Sequence, residues 1–252
     1  MIQSVDRALR ILELFVSDNK LSLTEISHRM ELSKSTVFGL LETLKSRRYL
    51  DRDAMSGKYT LGAVLLKLGG LYKGRLDFRR IAYPIMLRLC EITNQVLQLA
   101  VLSGIEVVYL EKVENPNQRI LQMVLPVGST MPAHCTATGK MLLSSLKDFE
   151  IETLYHGYEL KAYSSNTITD IDVLKNELKK VREQAYAIDK FESNEHVVGV
   201  AMPIYDFEGV MVAALSLGGV KGIYPEDNMD QMIELLRDAT NEISSGLGFR
   251  IA

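Results

Sequence analysis

Three short apolar stripes separated by polar turns occupy the first sixty residues. In SVDRALRILELF, Val5, Leu9, Leu12 and Phe15 recur at helical spacing with Ala8 among them, and Ser4 is placed to cap that helix. LSLTEISHRM follows, where Ser22 and Glu25 form the S-x-x-E pair in which side chain and backbone cap each other, and Ile26 and Met30 continue a buried face. ELS predicts a tight turn before a third helix, KSTVFGLLETLKSRR, capped by Ser33. Its Val37, Leu40, Leu41 and Leu44 form an inward stripe and leave Lys34, Ser35, Thr36, Gly39 and Lys45 outside. YLDRDAMSGKYTLG then alternates and turns at Met55-Ser56-Gly57, which predicts a two-stranded wing.

The pattern changes beyond Gly62. An amphipathic helix begins, loosens at Gly69-Gly70 and Gly74, and resumes, so the glycines mark a boundary from roughly Lys67 to Leu76. Pro84 predicts a kink or late start in the next helix, where Cys90 shares an apolar face with Leu87. Strands are expected at QVLQLAVLS, EVVYLEKVE and ILQMVLPVG, with a turn at Ser103-Gly104 and NPNQ before the third. In EVVYLEKVE, Val107, Tyr109 and Glu111 alternate with Val108, Leu110 and Lys112, the pattern of a half-buried strand. Helices are expected at Thr136 to Leu146, Asp148 to Tyr155 and Ile171 to Ala185, then strands at YAIDKFES, VVGVAMPIYD and VMVAALSLGG. The last two strands join in a hairpin at Phe207-Glu208-Gly209. A closing helix runs from about Pro225 to Ile243. Hairpin strands with helices covering one face describe an α+β domain.

Composition removes several classes of function. The 252 residues are 47% hydrophobic and 24% charged, as in a folded soluble protein. No run approaches the roughly 20 apolar residues of a membrane helix, and Met1 to Asp6 lacks the start of a secretory signal. Two cysteines, Cys90 and Cys135, fit a reducing cytoplasm, and four scattered histidines offer no metal-ligand spacing, so neither metal nor cofactor is expected. Charge is uneven. Through Gly62 ten Lys and Arg face eight acids, a net +2, whereas the remainder carries nineteen against twenty-four, a net −5. A polyanion partner therefore belongs at the N-terminus.

A helix, a turn of three or four residues and a second helix with an exposed polar start make a helix-turn-helix. Small hydroxyl side chains on the first turns of the second helix allow close approach to bases and phosphates in the major groove. The candidate DNA-binding residues are Ser22, Thr24, Ser33, Lys34, Ser35, Thr36 and Gly39, with Arg52 and Lys58 reaching phosphate from the wing. A small helical bundle with a hairpin and no DNA role is the plainer alternative.

RALRILELF, LSLTEISHRMELSKSTVFGLLETL and RYLDRDAMSGKYTLGAVLLKLG resemble the winged helix of the isocitrate-lyase-regulator (IclR) family of bacterial transcription factors, and the resemblance extends over essentially the whole chain. It implies a winged helix-turn-helix domain at 1–62, a linker helix at 63–76, and an effector-binding domain at 77–252. The last is a GAF/PAS-like fold with a mostly antiparallel sheet. The family often carries arginine where this chain has Gly39, so base reading should lean on Lys34, Ser35 and Thr36.

PAHCTATGKMLLSS, Pro132 to Ser145, admits three readings. As a phosphate loop it fails, because Gly128 is too far upstream and Met141 follows Lys140 where a hydroxyl is needed. As a nucleophile site, Cys135 beside His134 lacks an evident orienting group, and sequence neighbours in extended backbone point apart. As a ligand pocket, Thr136, Ala137, Thr138 and Gly139 begin a helix whose first amides lack partners in the chain, a setting that favours an anion. Lys140 reads as a solvated first-turn residue.

The resemblance implies further pocket positions at Asp189, Gly199, Ser216 and Gly218, the two glycines standing where many members have cysteine or serine. Losing those groups suggests a bulkier or less polar effector than a short oxoacid. Glu192 and His196 are expected on a salt-linked surface loop. Together these readings describe a cytoplasmic regulator, most simply a repressor, that binds a palindromic operator in double-stranded DNA as a homodimer or homotetramer and senses a small-molecule effector, an organic acid. The competing class is a small hydrolase or transferase using Cys135 or Ser216.

Overall fold

The computed structural model describes residues 2–74, 77–115, 125–220 and 228–250. The chain divides into two compact units, Met1–Arg75 and Leu76–Ala252.

The first unit contains α1 (Gln3–Glu13), a 3-10 turn at Leu14–Val16, α2 (Leu23–Met30), α3 (Lys34–Ser46), β1 (Leu50–Arg52), β2 (Tyr59–Leu61) and α4 (Ala63–Gly74). Ile11, Phe15, Ile26, Val37, Leu41, Leu50 and Tyr59 share one core. Ser22 and Glu25 form the reciprocal cap of α2, and Ser33 caps α3 by accepting from the Thr36 amide. The turn between them is Glu31-Leu32-Ser33, with Glu31 left-handed at φ 53°. The Leu32 amide donates to the Ser27 carbonyl and Ser27 Oγ donates back to the Leu32 carbonyl, so α2 closes its own turn. Leu21 and Tyr59 exchange two backbone hydrogen bonds, tying the wing to the start of α2.

Three details differ from the sequence reading. Ser4 does not cap α1, which starts at Gln3 after Ile2 with no side-chain cap. Val5 and Leu9 are exposed, while Ala8, Ile11, Leu12 and Phe15 face the core. The segment carries two apolar stripes at helical spacing, and periodicity alone does not say which one the unit buries. Third, α4 passes through Gly69 and Gly70 without interruption, because glycine lowers helix propensity without forbidding the hydrogen bonds.

The second unit comprises α5 (Asp77–Thr93), β3 (Val96–Ser103), β4 (Glu106–Val113), β5 (Thr130–Pro132), a 3-10 turn at Ala133–Cys135, α6 (Ala137–Leu143), α7 (Asp148–Leu154), α8 (Ile171–Gln184), β6 (Ala187–Lys190), β7 (Val197–Tyr205), β8 (Met211–Val220) and α9 (Met229–Gly246). Among the described residues the strands form one sheet, ordered β5-β4-β3-β8-β7-β6 and antiparallel throughout. The strand expected at ILQMVLPVG lies, through Val124, outside the described residues, as do Pro116 to Gln118 of NPNQ and the expected helix start at Pro225.

Helices cover both faces of this sheet instead of one. α5 and α9 pack against Leu97, Leu99, Val200 and Leu215, whereas α6 and α8 pack on the other side with Ala100, Tyr109, Ala201 and Ala214. For that reason β4 is not half-buried: Val107, Tyr109, Leu110 and Glu111 are all enclosed. Pro84 lies inside α5 and removes only the bond to the Arg80 carbonyl. Cys90 is buried, but Leu87 is exposed.

Two glycines carry opposite expectations. A Cβ on Gly39 would meet nothing within 4 Å, whereas one on Gly139 would fall 2.2 Å from the Ala133 carbonyl oxygen. Gly39→Ala should raise stability by about 0.5–1 kcal/mol, and Gly139→Ala should lower it by about 1–3 kcal/mol. Urea denaturation checks both, and a neutral Gly139→Ala would contradict the close approach of α6 to the 3-10 turn.

Candidate nucleic-acid face and ligand cavity

The outer face of α3 begins with three hydroxyls gathered on one atom. Ser33 Oγ lies 3.0 Å from Ser35 Oγ and 2.9 Å from Thr36 Oγ1, while also capping the Thr36 amide. Lys34, Ser35, Thr36 and Gly39 are exposed, as is Thr24 on α2. Lys45 is less free than its position suggests, since its ammonium sits 2.6 Å from both Glu42 carboxylate oxygens. Ser22 is occupied by the α2 cap, so any contact it makes with a phosphate would go through its remaining lone pair or its hydroxyl hydrogen.

On the wing, Asp53 Oδ1 accepts from the Met55 and Ser56 amides, and Gly57 takes the left-handed conformation the turn needs, φ +67°. Arg52 Nε donates to the Gly57 carbonyl and its guanidinium lies over the Tyr59 ring. Lys58 Nζ is 3.6 Å from Glu25 Oε2, an exposed pair worth little in water.

The second unit holds a cavity of about 50 Å³ between the sheet and the start of α6. Its floor follows from strand register. Asp189 pairs with Gly199, Gly199 with Gly218 and Gly218 with Val96, so these four residues form one row across β6, β7, β8 and β3. The next row on the same face is Ala187, Ala201, Ser216 and Gln98. Two glycines between Asp189 and Val96 therefore leave a trough in the sheet. Less room is freed than the missing side chains suggest, because a Cβ on Gly199 would already lie 3.1 Å from the Leu217 carbonyl oxygen.

Six of the seven residues marked from sequence line this cavity: Ala137, Thr138, Asp189, Gly199, Ser216 and Gly218. Gly139 does not. Its bare Cα faces Ala133, and its amide is already bonded to Thr136 Oγ1 at 3.0 Å, so it serves the packing and capping of α6. Thr136, named with the helix start, lines the cavity as well, and so do Gln98, Tyr109 and Ser193, which were not foreseen. Alternation in QVLQLAVLS and EVVYLEKVE shows which residues share a face; only the register opposite β8 shows which face meets the cavity.

Asp189 is buried and accepts three hydrogen bonds: from the Glu192 amide at 2.8 Å, the Ser193 amide at 3.3 Å and Ser193 Oγ at 2.5 Å. Burial pushes its carboxyl up, and those bonds pull against the shift. Burial followed by the nearby charge of Asp189 pushes the Tyr109 hydroxyl up too, keeping it a neutral donor.

Lys140 overturns its sequence reading. It is 1% exposed, with its ammonium 2.5 Å from Glu192 Oε1 and 3.4 Å from Glu177 Oε1. The helix it belongs to is enclosed on every side, so position in a first turn was no guide to solvation. Glu192 is likewise buried; salt-linked it is, but within the protein rather than on its surface. Burial pushes the Glu192 carboxyl up against the pull of Lys140, and its second oxygen has no hydrogen-bond partner. His196 is exposed, as a surface loop residue should be.

The nucleophile reading meets a suppressed thiol. Cys135 is fully buried with Sγ directed at the Pro132 carbonyl, and burial pushes its pKa up to about 12. His134 points away to the Lys161 carbonyl, 3.0 Å from Nε2, and packs among Tyr155 and Tyr163. Desolvation lowers its pKa, so the ring stays neutral.

Comparison with known proteins gives a consistent picture. Residues 71–245 match the family model "Bacterial transcriptional regulator IclR C-terminal" and residues 4–54 match "IclR helix-turn-helix domain". The HTH-type transcriptional regulator XynR of Escherichia coli (strain K12) is 36% identical over 250 residues, covering 99% of this chain and 98% of its own. The HTH-type transcriptional repressor AllR of Salmonella typhi is 31% identical over 252 residues, covering 98% and 91%. A crystal structure of an IclR homologue complexed with 4-hydroxybenzoate, from Microbacterium hydrocarbonoxydans, superposes with a TM-score of 0.82 at 27% identity, covering 97% of this chain and 98% of that one.

The enclosed ion pair generates a test of its own. Lys140→Met should cost about 3–5 kcal/mol by leaving Glu192 charged and unpaired, and adding Glu192→Gln should recover most of the loss. A carboxyl whose folded pKa lies above its unfolded value favours folding as pH falls, so the Lys140→Met deficit should narrow as pH falls from neutrality toward the ordinary carboxylate range. Denaturation curves at neutral and at mildly acidic pH check this, and a deficit independent of pH would contradict it.

Proposed function

We propose a function that proceeds from one premise: the chain belongs to the IclR family of bacterial transcriptional regulators, and is therefore a DNA-binding transcription regulator with a C-terminal effector domain. Within that frame the chain is a cytoplasmic repressor of a metabolic operon, released from its operator by a small organic acid. The observation that carries the effector assignment is the row Asp189–Gly199–Gly218–Val96 with Ser216, Thr138 and Tyr109 converging on the space above it.

A compact hydroxy acid suits that space. Its carboxylate would take the free amides of Ala137 and Thr138, and its hydroxyl would donate to Asp189, whose oxygens are otherwise acceptors only. The modest volume favours a small ligand over a bulky one. The homologue that binds 4-hydroxybenzoate supports an acid of this class. The Cys135 thiol is enclosed against the Pro132 carbonyl and Ser216 Oγ donates to the Gln98 carbonyl, which supports binding over catalysis at either candidate nucleophile.

On the DNA side, Lys34, Ser35, Thr36 and Gly39 would enter the major groove, with Ser22, Thr24, Ser33, Arg52 and Lys58 toward the phosphates. Ile2 at the N-cap and Val5 and Leu9 on α1, with Leu66 and Leu71 on α4, leave apolar stripes uncovered, which supports pairing of N-terminal units into a dimer. A dimer of two reading helices calls for a palindromic operator. No described helix is long and apolar enough to cross a membrane.

Binding to a selected duplex should weaken steeply as salt is added, by about 0.9 in log affinity per log salt for each phosphate contacted. Replacing Ser35 and Thr36 together by alanine should remove preference among duplexes, and preference that survives would move base reading off this helix. In a thermal-shift series over hydroxy acids, aromatic acids and short oxoacids, a binder should stabilise the protein. Asp189→Ala should lose that response; a full response in the variant would take Asp189 out of the site.

A further inference from the structure

The reading helix is poor in the residues that most often recognise purines and cytosine. Between Lys34 and Ser46, α3 contains no arginine, asparagine, glutamine or aspartate. Arginine or lysine pairs with guanine, asparagine or glutamine with adenine, and a free carboxylate with cytosine. Lys34, exposed on the first turn, is the side chain suited to guanine, since Lys45 is held by Glu42. The one carboxylate present, Glu42, is held by Lys45 at 2.6 Å. The hydroxyls of Ser35 and Thr36 are gathered on Ser33 Oγ. Beyond Lys34, what remains prominent on the exposed side is an aromatic ring: Phe38 is 46% exposed, out of the core that Val37, Leu41 and Leu44 build from the same helix. It stands three residues after Ser35, four before Glu42 and next to Gly39, where a Cβ would meet nothing within 4 Å.

A helix with an exposed ring and a bare neighbour is suited to one base feature above the others. The 5-methyl group of thymine projects into the major groove and is recognised by apolar contact. The absent side chain at Gly39 lets the helix backbone come nearer the groove floor, which brings the ring of Phe38 within contact of that methyl. We infer that Phe38 is a specificity-determining residue that reads thymine through its methyl group, Gly39 providing the approach. This rests on the DNA-reading role of α3 proposed above.

The test separates the two. Full-length protein is used to enrich duplexes from a randomised pool, and each thymine of the enriched duplex is replaced in turn by deoxyuridine, which keeps pairing and removes only the methyl. At one or two positions in each half-site the parent protein should lose about fourfold in affinity, the worth of one buried methyl. At those same positions Phe38→Ala should bind thymine and uracil equally. Should Phe38→Ala bind too weakly to measure, Phe38→Leu takes its place, with a reduced thymine-to-uracil ratio expected. If no position responds to the methyl, or the ratio is unchanged in the variants, Phe38 is not the reader although α3 still binds DNA. If the pool enriches no duplex, the DNA-reading role of α3 falls and this inference with it.

Discussion

An ammonium sealed inside the second unit sets the geometry on which the cavity depends. Lys140 projects from α6 to the Glu192 carboxylate in the segment after β6, and reaches Glu177 on α8. Taking these charges out of water is costly, and the cost is met only while the partners stay in place. The segment from Asp189 to Ser193 is therefore fixed twice, by Lys140 on Glu192 and by Asp189 on the Glu192 and Ser193 amides. Cavity wall and α6 cannot separate without parting an enclosed ion pair. Ser193 is adjacent to Glu192, and Asp189 accepts from the Glu192 amide, so a ligand touching either would bear on that pair.

The first unit depends on a different economy. Its helices are held by caps that recur at the same points as the exposed polar residues: Ser22 on α2, Ser33 on α3 and Asp53 on the wing turn. Two of these, Ser22 and Ser33, are also among the residues proposed to face DNA, so substituting either is expected to change stability as well as binding, and a comparison across duplex sequences distinguishes the two effects.

Much of this arrangement was legible before any coordinates. The caps of α2 and α3 and the wing turn were, because S-x-x-E, ELS and the Met55-Ser56-Gly57 turn act over a few residues and owe nothing to the rest of the chain. The strands β3, β4, β6, β7 and β8 were, because alternation and hairpin turns are local too; the three-residue β5 is too short to show alternation. Two kinds of information were not. One is which of two apolar stripes a helix buries, as with Val5 and Leu9 against Ile11 and Phe15. The other is what packs on the outer side of a helix that covers a sheet. α6 lies between the sheet and α8, so its lysine is enclosed and needs a buried partner 52 residues away. Gly139 shows the same limit in miniature: glycine at a helix start suggests room for a ligand, and the atom that needs the room is the Ala133 carbonyl.

Regulation requires that the occupant of the cavity discriminate between conformations of different DNA affinity, since a ligand indifferent to the two states shifts nothing. Such coupling is reciprocal: the factor by which a bound effector changes DNA affinity is the factor by which DNA changes affinity for the effector. Calorimetric titration of the stabilising acid into the protein alone and into the protein saturated with its selected duplex measures this directly. The account predicts weaker binding to the complex, by the same factor found when the duplex is titrated with and without the acid. Equal affinity for free and DNA-bound protein would contradict it.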